Sequence, residues 1–272
     1  MRESLRIEEK HRKLFSFVDE KRPFESVSEY FGIKLGKDQR VRSQVVKGVL
    51  CDPELGDIPV YFKLYGYRKL RRGLSRMMKQ TRSKGEFANL NFFHKLGIPA
   101  CEPIARGEYR NVLGIPRNCM IITREITGAK QLDHFIRDLE ADSLPDDIKM
   151  GIRRQIIESL AAGARKIHSE NFYHDDLKWR NILVRHSAGD DHTVEVFWID
   201  CPNGYFDQTG GLRKKHGVIK DVATLDHLAW RNCSEEERKY FISCYLGCSM
   251  ESAELAEFAN DVVEYRKLKL DD

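Results

Sequence analysis

The sequence predicts an α+β chain of two lobes: a β-rich amino-terminal lobe over residues 1–126 and a mostly helical carboxy-terminal lobe over 127–272. Three observations lead there. Two β-branched, apolar stretches flank turn residues in the first half. A buried strand then runs into Thr127-Gly128, a break suited to a hinge. Beyond it the apolar period changes from two residues to three or four, the change that separates strands from helices.

In order, VRSQVVKGVLCD (41–52), the turn residues PELGD (53–57) and IPVYFKLY (58–65) read as a β-hairpin. Lys63 lies on its second strand, with Tyr61 and Tyr65 on the same face and Phe62 and Leu64 on the other. From Gly85 to Leu96 the spacing is helical and puts Phe87, Leu90, Phe93 and His94 on one side; Gly97-Ile-Pro99 stops it. NCMIITREI (118–126) is the buried strand before the hinge. Lys149 to Ser169 carries Ile152, Ile156, Leu160, Ala164 and Ile167 at helical spacing. FYHDDLKWRNILV (172–184), a polar loop SAGDD (187–191) and the strand VEVFWID (194–200) follow, and the pattern is helical from Ser234 onward.

Apolar residues make up 41% and charged residues 32%, and no apolar run approaches the ~20 residues that span a bilayer. Met1 to Arg22 is densely charged and lacks the apolar stretch of a secretory signal, so a cytoplasmic protein is expected. The cysteines are seven, odd in number and scattered, which argues for reduced thiols. Cys244 and Cys248, four apart on one face of an expected helix, read as small buried apolar residues, since a zinc site needs a second ligand pair. Net charge is only +4, but YRKLRRGLSRMMKQTRSK (67–84) holds eight Lys or Arg and no acid. A solvated helix face would interleave acids; a single-sign stretch favours phosphates, acidic sugars, nucleic acid or anionic lipid.

The chemistry concentrates in His174-Asp175-Asp176-Leu177-Lys178-Trp179-Arg180-Asn181 and the apolar Ile182-Leu183-Val184 after it. This resembles the catalytic loop H-x-D-L-x-x-x-N of protein kinases and their relatives. Phosphoryl transfer to a hydroxyl needs a group that orients the acceptor and takes its proton, cations that neutralise the moving phosphoryl, and oxygen ligands for Mg²⁺. Asp176 suits the first role, Lys178 the second and Asn181 the third. Asp200, closing the strand from Val194, matches the metal-binding carboxylate, although Cys201-Pro202 follows it where kinases have Phe-Gly. His174 is expected to be a packed residue that shapes the loop, and Asp221 a helix-start carboxylate that braces it. Any one piece alone reads as a surface turn; the joint spacing speaks against that.

A kinase-like site also needs a strand lysine for the phosphates and a helix glutamate to hold it. Lys63 and Glu86 fill those positions, with Lys47 on the preceding strand as the competing lysine. Glu125 and Ile126, at the hinge, join them as nucleotide-binding candidates. No G-x-G-x-x-G precedes Lys63, and Phe31-Gly32-Ile-Lys-Leu-Gly36 is the remaining candidate for a phosphate-covering loop.

Beyond the kinase pattern, the sequence resembles the lipopolysaccharide core kinases, which phosphorylate Kdo or heptose of the inner core. Pro23-Phe24-Glu25, Tyr61-Phe62-Lys63, the basic linker before Glu86, Leu96-Gly-Ile-Pro99 with Pro103, His174 to Val184 and Trp198-Ile-Asp200-Cys-Pro202 carry the resemblance over most of residues 23–230. It implies a bilobal, protein-kinase-like fold using ATP and Mg²⁺. It implies Lys63 for phosphate with Glu86 as its partner, Asp176 as catalytic base, and Asn181 with Asp200 for Mg²⁺. The implied acceptor is a Kdo or heptose sugar of an acidic glycolipid, met at the cytoplasmic face of the inner membrane with peripheral contact to its anionic surface. One departure is Asp175, where regulated kinases carry an Arg that reads a phosphorylated activation loop; this site is expected to need no such phosphorylation. Asp200 to Asp221 is short, holds Gly204, Gly210, Gly211 and Arg213-Lys214-Lys215, and lacks a peptide-docking APE motif. A peptide substrate therefore lacks its platform, and no nucleic-acid partner is expected. A kinase for a protein or another small molecule, and a non-catalytic pseudokinase, are the alternatives.

Overall fold

The computed structural model describes residues 2–35, 43–52, 56–67, 80–187, 189, 192–207 and 212–271, with backbone alone at 52 and 212–214. The chain divides into two compact units, Met1–Phe92 with Cys101–Ile126, and Phe93–Ala100 with Thr127–Asp272. Among the described residues no helix is long and apolar enough to cross a membrane.

The first unit is built on a five-stranded antiparallel sheet in the order β1-β4-β5-β3-β2. Its strands are β1 (Arg2–Ile7), β2 (Gln44–Asp52), β3 (Gly56–Gly66), β4 (Pro103–Arg110) and β5 (Pro116–Arg124). Alternation decides which face each side chain takes. Ile58, Val60, Phe62 and Leu64 of β3 are buried on one face, while Tyr61, Lys63 and Tyr65 project from the other. The apolar face packs against Phe24, Val27 and Phe31 of and just after helix α1 (Pro23–Tyr30). That helix starts on a proline, and Glu3 of β1 accepts from the amides of Phe24 and Glu25, pinning the helix start to the sheet edge.

Several expectations change here. The charged amino terminus forms the edge strand β1, a pairing with β4 that its charge density conceals. Within the proposed phosphate-covering segment, Phe31 closes α1, and Phe31, Ile33 and Leu35 are buried core residues, with Phe31 stacked on Phe62. Those positions therefore serve packing, and Gly36 lies outside the described residues. Of the basic stretch 67–84, residues 68–79 also lie outside them. Helix α2 runs from Arg82 to Lys95, and His94 is exposed rather than on the buried side with Phe87, Leu90 and Phe93. Strand β5 ends at Arg124, so Glu125 and Ile126 follow it rather than belong to it.

The second unit holds helices α3 (Leu132–Ala141), α4 (Asp146–Ser169), α5 (Leu212–Asn232), α6 (Glu235–Leu246) and α7 (Ala253–Lys269). Two small antiparallel sheets join β6 (Lys130–Gln131), β8 (Ile182–His186) and β9 (Val194–Trp198), and pair β7 (Phe172–Tyr173) with β10 (Tyr205–Phe206). Helix α4 packs on α6 and α5 on α7. Asp226 is gripped by Arg238 at 2.6 and 3.0 Å and by the buried Arg266 at 2.7 Å, a satisfied ion cluster between helices. Helix α6 ends at Leu246 on Gly247, whose φ of 78° suits glycine, so Cys248 lies past the helix instead of sharing a face with Cys244. Both are half-buried. Burial pushes the Cys233 thiol up to about 11, which keeps it protonated and inert at neutral pH. Lys215 is paired with Asp261 on α7, while Gly210, Gly211 and the side chains of Arg213 and Lys214 lie outside the described structure.

Gly163 marks where α4 meets β9. A Cβ there would stand 2.8 Å from the ring of Trp198, which is itself fully buried and cannot give way. Gly163→Val is expected to destabilise the protein by roughly 1–3 kcal/mol through overpacking, read as a lower urea midpoint at unchanged slope.

Candidate active site

In the first unit, strand parity brings Lys63 to α2. Its Nζ lies 2.7 Å from Glu86 Oε1, and Glu86 is fully buried. A buried carboxylate needs more than one donor. Tyr65, two residues on and on the same face, supplies the second: its hydroxyl donates to Glu86 Oε2 at 2.6 Å. Glu86 is thus held at both oxygens. Tyr65→Phe is expected to raise the KM for ATP several-fold with a smaller change in kcat, while Lys63→Met raises the KM and lowers kcat; equal KM values for Tyr65→Phe and wild type would remove Tyr65 from this role. The competing Lys47 is exposed and pairs with Glu125, just past β5, at 2.6 Å. It is not on Glu86.

In the second unit, β7 leads directly into the loop that carries the signature. Asp221 organises its start. This fully buried carboxylate accepts from the amides of His174 at 2.6 Å and Asp175 at 2.9 Å, and faces His168 Nε2 at 3.3 Å. His168 is in turn bound to Tyr245 at 2.8 Å. Asp221 lies inside α5 rather than at a helix start: the helix begins at Leu212, because nothing in Arg213 to Lys220 except Gly217 breaks it. Asp175 takes a φ of 68°, a left-handed conformation that aspartate tolerates better than most residues, and its carboxylate pairs with Lys220. Asp200 is also left-handed, with φ 59°.

His174 is completely buried, stacked parallel on Phe93 and edge-on to Trp198. Neither ring nitrogen has a hydrogen-bond partner among the described residues, and burial pushes its pKa down, so the ring is neutral and acts as packing. Trp179 is buried and donates to the Leu225 carbonyl, whereas Arg180 is exposed.

Asp176 sits at the centre of the loop. Lys178 Nζ is 2.6 Å from Oδ1, and Arg180 stands 3.8 Å from Oδ2. Asn181 donates its amide to the Asp176 carbonyl at 2.8 Å. Partial burial opposes the charged form, but Lys178, Arg180 and Asn181 together outweigh it and hold the carboxyl below the usual aspartate range. A depressed folded pKa adds stability above the unfolded value, and that stability is lost as pH falls through the folded one. By the same logic Asp176 stays ionised throughout the neutral range. Lys178→Met is expected to move the acid limb of the kcat profile upward in pH; an unmoved limb would show that Lys178 does not set this charge.

With its Nδ2 committed to the Asp176 carbonyl, Asn181 keeps its amide oxygen as the free-facing acceptor end. Its own carbonyl accepts from Ile199 at 2.9 Å, which ties it to the residue before Asp200. An amide oxygen and a carboxylate suit a hard cation that takes its other ligands from phosphate and water. Among the described residues no three His, Cys, Asp or Glu side chains form a metal cluster by themselves. Asn181 and Asp200 are the residues that would hold such a cation.

Comparison with known proteins gives the same direction. The model of the lipopolysaccharide kinase (Kdo/WaaP) family matches residues 41–225, about two thirds of the chain. The chain belongs to this family. No curated protein sequence matches it. Among solved structures, WaaP in complex with acyl carrier protein is similar with a TM-score of 0.63 at 17% identity, over 96% of this chain and 98% of that one. The fold is accordingly kinase-like, and the protein is a phosphotransferase of the kinase class. The family match spans Lys63, Glu86, the loop from His174 to Asn181, Asp200 and Asp221.

Four contributors escape a reading of the sequence. Tyr65 is visible only as a residue of the right parity beside Lys63. Lys220, His168 and Tyr245 are brought to the loop by α5, α4 and α6 from distant positions, and nothing local announces them.

Proposed function

We propose that this protein transfers the γ-phosphoryl group of ATP, with Mg²⁺, to a hydroxyl of a Kdo or heptose residue of the lipopolysaccharide inner core, at the cytoplasmic face of the inner membrane. The observation that carries this reading is Asp176, held ionised by Lys178 and Arg180 beside Asn181, in a chain of the lipopolysaccharide kinase family. In this reading residues 1–126 serve the nucleotide and 127–272 the acceptor. Lys63, held by Glu86 and Tyr65, binds nucleotide phosphate, with Glu125 and Ile126 on the nucleotide as well. Asp176 orients the acceptor hydroxyl and receives its proton; a positioned base of this kind contributes ~10²–10⁴ in rate. Lys178 offers positive charge to the transferred phosphoryl as it moves. Asn181 and Asp200 hold Mg²⁺, which neutralises phosphate charge when bound. His174 and Asp221 support the loop.

Asp175 paired with Lys220 stands where regulated kinases use an Arg, and supports a site assembled without phosphorylation. Acceptor-dependent ATP turnover tests the reading, comparing dephosphorylated core oligosaccharide, a mixed peptide substrate and an aminoglycoside. Turnover is expected with the core oligosaccharide alone. Turnover with peptide or aminoglycoside instead would reassign the acceptor.

A further inference from the structure

Beside the catalytic loop, the second unit presents a corner to which the roles above assign nothing. Strand β10 is two residues long, and both are aromatic and exposed, Tyr205 at 40% and Phe206 at 54%. Rings of this size ordinarily bury most of their surface. The backbone under them is fixed. Tyr205 pairs with Tyr173 and Phe206 with Phe172 in antiparallel register, and Asp207 donates its amide to the Asn171 carbonyl at 2.9 Å. Phe172 and Tyr173 are fully buried. Helix α5 holds Tyr173 from behind: a Cβ on Gly217 would stand 2.5 Å from its ring, so the close approach needs glycine.

Alternation sends the two exposed rings to opposite faces of β10. Phe206 meets Phe172 edge-on at 5.0 Å. Tyr205 leans on Tyr173, with ring centroids 5.5 Å apart. Polar groups gather on the Tyr205 side. Asp175 and Lys220 are ion-paired, each side chain is 31% exposed, and neither is closed off from a ligand. Lys220 follows Gly217 by one turn of α5, so one helix places both Tyr173 and the cation. Burial first, and then the Asp175 carboxylate, push the Tyr205 phenol up, so it remains a hydrogen-bond donor at neutral pH. The hydroxyl of Tyr173 is buried and has no hydrogen-bond partner among the described residues. His174 and Asp175 alone separate Tyr173 from Asp176, so at most ~10 Å of chain parts this strand from the proposed base.

We propose that Tyr205, Asp175 and Lys220 form the acceptor subsite, the phenol ring stacking on the apolar face of a sugar ring while Asp175 and Lys220 hydrogen-bond its hydroxyls. A sugar carries both halves of that chemistry. Its slightly positive C–H bonds suit the negative face of an aromatic ring, and its rim of hydroxyls can donate to a carboxylate and accept from an ammonium group. The inference rests on the reading of a sugar acceptor and deepens it by naming the side chains that hold the sugar.

Steady-state kinetics of the full chain with ATP and dephosphorylated core oligosaccharide test it. Tyr205→Ala is expected to raise the KM for the oligosaccharide ~10-fold or more and to leave the KM for ATP within about twofold of wild type. Tyr205→Phe keeps the ring and should stay within about threefold for the oligosaccharide. Lys220→Met should raise that KM several-fold, and Phe206→Ala, on the other face, should leave it unchanged. Should Tyr205→Ala lower the melting temperature, Tyr205→Leu takes its place, since it keeps an apolar contact with Tyr173 but no flat ring; the same rise is expected. An oligosaccharide KM equal to that of wild type in the variant lacking the ring would overturn the subsite. So would an equal rise in the KM for ATP, or a larger effect of Phe206→Ala. Each of those results leaves the sugar-kinase reading standing, because wild type still transfers to the oligosaccharide. Absence of transfer by wild type would overturn both.

Discussion

Asp176→Ala is expected to lower kcat for phosphoryl transfer by ~10²–10⁴, the contribution of a positioned base, with the affinity for ATP and Mg²⁺ nearly unchanged. The division follows from the contacts. Asp176 interacts with Lys178, Arg180 and Asn181, whereas the phosphate-binding and metal-binding roles are assigned to Lys63, Asn181 and Asp200. Removing the carboxylate deletes the proton acceptor and leaves those groups in place. Asn181 bonds the Asp176 backbone carbonyl, which alanine keeps. Asp200→Ala should give the opposite split, weakening Mg²⁺-dependent nucleotide binding first. Calorimetric titration of ATP with and without Mg²⁺, beside single-turnover transfer, separates the two. A variant lacking Asp176 that turns over normally would remove this residue from the reaction.

The second large effect is structural and lies at Asp221. Two loop amides and His168 converge on this buried carboxylate. Asp221→Ala strands them without water, at about 1–3 kcal/mol for each unsatisfied group, so a loss of several kcal/mol is expected. The loop that presents Asp176 starts at those amides, so activity should fall together with stability. Asp221→Asn retains one acceptor oxygen and is expected to fall between alanine and wild type in both. Urea denaturation and initial rates on the three proteins measure this, and an alanine variant as stable as wild type would show that the loop is braced elsewhere.

Much of the candidate site is legible because it is local. Lys63 is found by strand parity, and Asp176, Lys178 and Asn181 by spacing within eight residues. The two strands of the β2–β3 hairpin and the long helix α4 are likewise written as period two and period three to four. What is not legible is non-local or depends on termination. The edge strand β1 is recognised only by pairing with β4, a hundred residues away. His94 shares the spacing of Phe93 but turns to solvent, since a single helix face does not say how wide its buried stripe is. Asp221 reads as a helix start because an acid is favoured there, yet the preceding residues continue the helix. Phe31 to Leu35 carries the glycine of a flexible loop and the apolar residues of a core, and packing wins.

The most direct measurement is transfer of labelled γ-phosphate from ATP to purified, dephosphorylated core lipopolysaccharide, with Asp176→Ala beside the wild type. The account predicts label on a Kdo or heptose sugar with wild type, accumulating ~10²-fold or more slowly with the variant. ATP bound by both proteins and label on the core with neither would contradict it.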